Sequence, residues 1–202
     1  LSEMAPEQDK AFDTYQVDPA TSTGLHNRWY CQLEHPVFFN DRQEADKKLL
    51  VYDTPPLDQD TEITGHPVVH LFVRSKDTDG QFFVYLETID PDGRVRMLTD
   101  GQLRAIHRKV SEETPPFTMF GPYHSLKEKD AEPLIPNEVT EIAFDLLPIS
   151  VLLKKGQRIR LAIAGADRDT FDPIPGCESP EITIERSRVY ASCIDLPLVQ
   201  IK

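Results

Sequence analysis

The side chains that come nearest to catalytic machinery in this sequence are the neighbours His124 and Ser125. A serine nucleophile needs a base within hydrogen-bond reach and a third group that orients this base. Residues adjacent in sequence rarely achieve such geometry, and no acidic partner accompanies this pair. A nucleophile elbow, G-x-S-x-G, is also missing from the sequence. We therefore predict that this chain by itself is not an enzyme.

Some acidic residues are spaced closely enough to suggest a metal site. The turns at residues 77–80 and 90–93 begin like a calcium loop, but the later ligands and the closing glutamate of such a loop do not follow. The two carboxylates within residues 167–169 could also hold a metal, although an ion pair with Arg158 or Arg160 explains them better. The six histidines show no ligand spacing. We therefore predict neither a metal nor a cofactor.

The strands that would position these side chains are predicted most clearly in the middle of the sequence. Runs rich in β-branched and aromatic residues cover Val68–Ser75, Gln81–Ile89 and residues 94–99. The pair Asp100-Gly101 breaks the last run, which resumes over residues 102–107. Short turns of Asp, Gly and Pro separate the runs, and such turns typically join antiparallel neighbours. The stretch is predicted to be a β-meander.

Alternation along these runs places apolar side chains on both faces of the predicted strands. Val69 and Val73 share one face of the first strand, because side chains alternate with period two. In the second strand Phe82 and Val84 point one way and Phe83 the other. A strand with two apolar faces needs cover on both sides. We predict a second sheet against one face and another segment or domain against the other.

The rest of the sequence predicts more strands joined by ordered loops. About eight or nine predicted antiparallel strands and no predicted helix indicate an all-β fold, an antiparallel β-sandwich of jelly-roll type. The long Pro-rich loop at 112–136 is of a kind that is usually functional or interfacial. The further strands are predicted at residues 49–52, 61–64, 138–147, 157–164, 181–185 and 188–197, with 148–153 as a short connection or single helical turn.

Charge and composition disfavour several classes of partner. The net charge of −12 disfavours nucleic acid, whose binding requires a clustered basic surface. No apolar run approaches the roughly 18 residues of a membrane helix. Cys31, Cys177 and Cys193 are odd in number and far apart, so we predict reduced thiols, which favour the cytoplasm slightly. The sequence starts at Leu1 without a signal pattern, as expected for a piece of a longer polypeptide.

The patterning divides the chain near residue 45. Residues 1–45 are predicted to form an irregular N-terminal arm or linker from an absent upstream domain, and residues 46–202 a jelly-roll β-sandwich domain. Within the arm, residues 23–29 show no strand period and contain the only tryptophan, Trp29. Such a segment has to pack against something, either the sandwich itself or a neighbouring domain.

Several short motifs, in order and in register, resemble a known family. They are similar to the C-terminal domain of X-Pro dipeptidyl-peptidases and CocE/NonD-type acyl esterases, from about residue 24 to the end. Gln157 departs from the pattern, since the family often has His there. The motifs are LLVYDTPPL at 49–57, ITG at 63–65, DPDGR at 90–94, TDGQLR at 99–104, PYHS at 122–125 and KGQRIR at 155–160.

The resemblance implies a galactose-binding-like jelly roll, a non-catalytic domain that follows an α/β-hydrolase domain. In that family the Ser-His-Asp triad lies in the upstream domain, which hydrolyses esters, amides or X-Pro dipeptides through an acyl-enzyme. A loop from this part of the family's domain lies near the catalytic serine. The candidate residues are therefore Leu25, Asn27, Arg28 and Trp29 for the substrate pocket, and Tyr123 and His124 for the interface with the upstream domain.

Three functions stay open on the sequence alone. They are a companion domain that helps to shape the pocket of a serine hydrolase, a carbohydrate-binding module of the same architecture, and an oligomerisation domain. Sugar-binding modules display exposed aromatic side chains in a row, whereas the aromatic residues here, 8% of the chain, fall mostly at alternating strand positions. The first function is favoured. For the arm, simple packing against the sandwich is the competing interpretation.

Overall fold

The structure is a computed structural model that describes residues 1–30, 36–177 and 180–199. Short 3₁₀ turns lie at Ala45–Lys48, Ala105–His107 and Glu128–Asp130. In chain order the strands are β1 Phe12–Gln16, β2 Leu50–Asp53, β3 Thr61–Gly65, β4 Val68–Ser75, β5 Gln81–Ile89, β6 Val95–Arg104, β7 Thr140–Asp145, β8 Ile149–Leu153, β9 Arg158–Ala164, β10 Glu181–Glu185, β11 Cys193–Asp195 and β12 Leu198–Val199.

Two main sheets face each other across one apolar core. One sheet has the order β2-β9-β5-β6, the other has the order β1-β10-β4-β11 with β7 also paired to β4, and β12-β3-β8 forms a small third sheet. Leu71, Phe144, Val84 and Leu161 from the two main sheets are all buried in this core. The antiparallel all-β prediction is confirmed, as is a β-sandwich, and the jelly-roll connectivity stays a prediction.

The predicted meander is wrong at its first turn. Strand β4 pairs with β7, β10 and β11, whereas β5 pairs with β6 and β9 in the opposite sheet. Residues 76–80 therefore cross between the sheets, which lie about 10 Å apart in a sandwich and are within reach of five residues. A Gly-containing turn indicates a reversal of direction but does not decide which sheet the next strand joins. The β5–β6 hairpin is confirmed.

The predicted break at Asp100 and Gly101 is also wrong, because β6 continues through both residues. Gly101 allows a close approach: a Cβ atom there would lie 2.6 Å from the carbonyl oxygen of Asp145 and 2.7 Å from Cδ2 of Leu146. Glycine inside a strand often marks such a contact rather than a turn. This contact brings the edges of β6 and β7 together.

Two segments that were predicted as irregular are strands. Within the arm, Phe12–Gln16 forms β1 and pairs with β10, and Ile149–Leu153 forms β8 and pairs with β3. A third missed strand, β12, pairs with β3, so the described residues contain twelve strands rather than eight or nine. All three missed strands pair with residues distant in sequence, which local patterning does not show. The division of the chain into an arm and a domain stays a prediction.

The prediction that β5 is covered on both faces is confirmed. Phe82 and Val84 point into the main core, while Phe83 and Tyr85 belong to a second apolar cluster on the outer face of the sheet. Phe171 packs against that second cluster. The N-terminal arm lies over this outer face, which is why the candidate pocket residues are found there.

Candidate functional site

The loop of residues 23–30 is shaped by the side chain of Asn27, which is buried. Its Nδ2 donates to Thr23 Oγ1 at 2.9 Å, to the Gly24 carbonyl at 2.9 Å and to Thr170 Oγ1 at 2.8 Å, while its Oδ1 accepts from the Trp29 amide at 3.0 Å. These contacts use all the hydrogen-bonding groups of the amide. Asn27 therefore holds the loop in shape, and direct contact with a substrate would require some of these bonds to break.

The start of the same loop is fixed by Asp167. This buried carboxylate accepts from the Thr23 amide at 3.0 Å and from Thr23 Oγ1 at 2.6 Å. Burial raises the pKa of Asp167, and the hydrogen bonds from Thr23 oppose that shift. The predicted ion pair between this acidic segment and a strand arginine is wrong, because Arg160 pairs with Asp46 and Asp53 instead.

Arg28 ties the loop to the edge strand β6. Its Nε lies 3.0 Å from each carboxylate oxygen of Asp100, and its Nη2 donates to Gln102 Oε1 at 2.9 Å. Burial raises the pKa of Asp100, and the charge of Arg28 opposes the shift. The guanidinium also lies over the Trp29 ring, 4.1 Å from its centroid, a cation–π arrangement. Arg28 is therefore a positioning group for Trp29.

Trp29 and Leu25 present apolar surface to solvent. The indole ring meets Phe171 edge-on with centroids 5.2 Å apart, yet 40% of Trp29 remains exposed, and Leu25 is 56% exposed. Beneath them, a cavity of about 10 Å³ is lined by Asp100, Asp167 and other residues of this face. That volume holds about one water molecule. The loop therefore offers an outer surface, and the cavity that the described residues form beneath it is too small for a substrate.

His124 and Ser125 have separate partners rather than each other. The ring of His124 bridges two backbone carbonyls, with Nδ1 at 3.0 Å from Lys109 O and Nε2 at 2.8 Å from Ala143 O. Ser125 Oγ donates to Asp130 Oδ2 at 2.6 Å. The His124 ring therefore fastens its segment to β7, and the pair forms no nucleophile with its base.

Tyr123 closes a Pro-rich loop with an exposed aromatic tip. Its carbonyl accepts from the Ser111 amide at 2.7 Å, so the ends of residues 111–123 meet. Phe117 and Phe120 are 65% and 73% exposed, and the Phe120 ring stacks on His66 at 5.0 Å. Sequence reasoning singled out the long irregular loop but missed these two side chains. The sequence pattern that could have identified them is the presence of large aromatic residues within a proline-rich stretch.

A chain of direct contacts links the two sets of candidate residues. Asp100, which pairs with Arg28, accepts from the Leu147 amide through its carbonyl at 3.0 Å. Asp145, two residues before Leu147, lies against Gly121. A Cβ atom added to Gly121 would be 2.6 Å from the Cβ of Asp145. The arm loop and the Pro-rich loop thus both rest on the junction of β6 and β7. We call this region, with Leu25, Trp29, Phe117, Phe120 and Tyr123, the corner surface.

Other kinds of site find little support in the part of the chain that the structure describes. No group of three or more His, Cys, Asp or Glu side chains there is arranged to hold a metal ion. Cys193 is a free thiol, the Sγ of Cys177 donates to the Asp79 carbonyl at 3.2 Å, and Cys31 lies outside the described residues. Across residues 1–30, 36–177 and 180–199, the structure contains no helix of the length and apolarity needed to span a membrane.

A family model and individual relatives of known name all match this chain to the same kind of protein. The family model of the X-Pro dipeptidyl-peptidase C-terminal non-catalytic domain matches residues 2–192. A protein of Mycobacterium bovis with the name "putative serine esterase" is 49% identical over 97% of this chain and 31% of its own length. A cocaine esterase of Rhodococcus is 28% identical over 79% of this chain and 25% of its own length.

Solved structures show the same fold. The chain superposes on a crystal structure of an aminopeptidase from a marine sediment archaeon, Thaumarchaeota archaeon, with a TM-score of 0.72, 20% identity and coverage of 98% of this chain and 34% of that one. A CocE/NonD family hydrolase of Staphylococcus aureus gives a TM-score of 0.68 at 19% identity, with 97% and 34% covered. The chain thus spans about a third or less of the length of the proteins it matches.

Proposed function

The chain belongs to the family of X-Pro dipeptidyl-peptidase C-terminal non-catalytic domains, and from this premise we propose that it is the companion of an α/β-hydrolase domain in one polypeptide. The relatives that are named as esterases are about three to four times as long as the part matched here. The proposed parent hydrolyses esters, amides or X-Pro dipeptides through a serine in the hydrolase domain. The substrate itself is left open, since a shared fold does not define one.

The observation that carries this proposal is the corner surface, which presents exposed aromatic side chains on loops that are held in place. Interfaces between proteins are enriched in aromatic residues and depleted of charged residues at their centre. Here Phe117, Phe120 and Trp29 project from a protein with a net charge of −12. The Arg28–Asp100 pair and the bonds of His124 hold the two loops before any partner binds. Such preorganisation reduces the entropy cost of docking.

Within this surface, we assign the pocket contribution to Leu25 and Trp29. Ligand pockets are mostly apolar and favour domain interfaces, and both side chains have free apolar surface. Asn27 and Arg28 act on the pocket through the loop, because their polar atoms are engaged inside the domain. A sugar-binding role gains no support from Trp29, since the Arg28 guanidinium lies over its ring.

Docking is tested by mixing this chain with the separately produced hydrolase domain and measuring binding by calorimetry. Replacing Phe117 and Phe120 by Ala should weaken binding at least tenfold, because hot-spot aromatic residues each contribute more than about 1 kcal/mol. Phe12→Ala, at an exposed aromatic residue on β1, is the matched control and should have no effect. Undiminished binding by the double variant would show that the corner surface is not the docking site. The corner surface could instead pair two copies of this chain in a homo-oligomer. Light scattering of the free chain measures such self-association.

A further inference from the structure

A buried group of charges fastens the last part of the arm to the outer face of the sheet. Glu87 on β5 is 0% exposed, and its Oε1 accepts a hydrogen bond from Arg42 Nε. Arg42 Nη2 lies 3.4 Å from Asp46 Oδ1, and both of these residues are buried as well. The three side chains therefore join residues 41–48, which we call the anchor segment, to the centre of the sheet.

The surroundings of Glu87 contain more acidic groups than basic ones. Arg160, opposite Glu87 on β9, donates to Asp46 at 3.0 Å and to Asp53 at 2.7 Å. Two guanidinium groups thus share three carboxyl groups. The other neighbours that face this cluster are Tyr85, whose ring lies beneath Arg42 at 4.7 Å, Met97 opposite on β6, and the carboxyl groups of Asp100 and Asp167, which the charge of Arg42 also reaches.

Two oxygen atoms in the cluster lack a hydrogen bond if every carboxyl group is ionised. Among the described residues, Glu87 Oε2, Asp46 Oδ1 and Arg42 Nη2 are buried without a hydrogen bond, and Nη2 faces Oδ1 only as an ion pair at 3.4 Å. A buried acceptor without a donor is costly, and two carboxylates side by side repel each other. One proton between these oxygens removes both costs. It also makes the group of two arginines and three carboxyl groups electrically neutral.

We propose that Glu87 keeps its proton near neutral pH and donates it in a hydrogen bond to Asp46, and that this proton is a pH-sensitive latch for the anchor segment. Burial raises the pKa of Glu87 to about 8, the charge of Arg42 opposes that shift, and Asp46 adds to it. When the proton is lost, a net negative charge remains under the anchor segment. The attachment of Arg42 and Asp46 to the sheet then weakens. This inference does not depend on the proposed function.

The direction of the pH effect follows from the pKa of Glu87 in the two states. The folded chain holds the proton up to about pH 8, whereas the unfolded chain releases it near the ordinary value of 4.5. Between these values unfolding releases a proton, so the free energy of unfolding decreases as the pH rises. The unfolding equilibrium constant should increase by up to about tenfold per pH unit in this window. Above about pH 8 the dependence should level off.

The test is urea unfolding of the whole chain between pH 6 and pH 9, for the wild type and for Glu87→Gln. Glutamine has the shape of a protonated glutamate but does not titrate, so the variant should lose the decline with pH, and at pH 6 its unfolding constant should be roughly 30-fold lower than that of the wild type. Glu44→Gln changes an exposed carboxyl group of the same segment and should keep the wild-type decline. Equal slopes for wild type and Glu87→Gln would overturn the proposal.

Two measurements keep the proposal testable if Glu87→Gln does not fold. Carboxyl-carbon NMR of the wild type should show Glu87 titrating at about pH 8. Hydrogen exchange should show faster exchange of the Arg42 amide, which donates to the Val95 carbonyl at 3.1 Å, above that pH relative to amides of β9. Titration of Glu87 below pH 6 would mean that the cluster holds no proton at neutral pH, and the proposal would be wrong.

Discussion

Arg28 donates from Nε to both carboxylate oxygens of Asp100 at 3.0 Å, and this pair joins a loop of the arm to the edge strand of a sheet 72 residues later. The pair is only partly exposed, so water screens it less than it screens a surface ion pair. The same guanidinium supports the Trp29 ring. One ion pair therefore sets both the path of the loop and the orientation of its exposed aromatic side chain.

We predict a measurable coupling between Arg28 and Asp100. In a double-mutant cycle with Arg28→Ala and Asp100→Ala, the interaction energy should be about 0.5–3 kcal/mol, as for residues that share one network. Urea unfolding of the four proteins measures it. The same cycle with Lys154 and Asp60, an exposed pair at 2.8 Å, should give about 0.2–1 kcal/mol. No coupling between Arg28 and Asp100 would mean that other contacts hold the loop.

Gly101 should resist substitution more strongly than an ordinary strand glycine. Gly101→Ala places a methyl group 2.6 Å from the Asp145 carbonyl oxygen, so the edges of β6 and β7 have to separate. We expect a loss of roughly 1–3 kcal/mol in the free energy of unfolding, the usual cost of overpacking. Gly80→Ala is the control, because its methyl group would lie at an ordinary 3.6 Å from Phe82. A neutral Gly101→Ala would show that the two edges are loosely joined.

The strands could be located from the sequence wherever alternation was strong, as in β9 with Ile159, Leu161 and Ile163 in the core. The sequence did not predict in which sheet each strand lies, because residues 76–80 are compatible both with a hairpin and with a crossing between sheets. Strand β1 was missed because its pairing with β10 joins residues about 170 positions apart. Local pattern carries no information about such a contact.

For the candidate site, the sequence located the segments but not the roles of their side chains. Asn27 was a candidate for the substrate pocket, yet its amide is occupied by Thr23, Gly24 and Thr170. Glu87 is a charged residue inside an apolar strand, and its importance emerges only through Arg42, 45 residues away. Burial and long-range hydrogen bonds decide these roles, and neither can be read from spacing along the chain.

The core prediction has a direct test in Leu161 and Phe144, which lie on facing sheets and are 3% and 2% exposed. Leu161→Ala and Phe144→Ala should each lower the free energy of unfolding by roughly 2–5 kcal/mol, through lost burial and the cavity left behind. Leu152→Ala, on the exposed face of β8, should change it by less than about 0.5 kcal/mol. Equal, small losses at all three positions would contradict the two-sheet core.

The pocket proposal is tested by Trp29→Ala in the full-length polypeptide. The exposed part of the indole is assigned to the acyl side of the pocket, so the ratio of kcat/KM for bulky and small acyl substrates should change by ~1–3 kcal/mol. The melting temperature should barely move, because Asn27 and Arg28 hold the loop without the ring. Phe12→Ala, at an exposed aromatic residue on β1 away from this loop, is the control. Lower stability with an unchanged substrate ratio would mean that Trp29 only packs against Phe171.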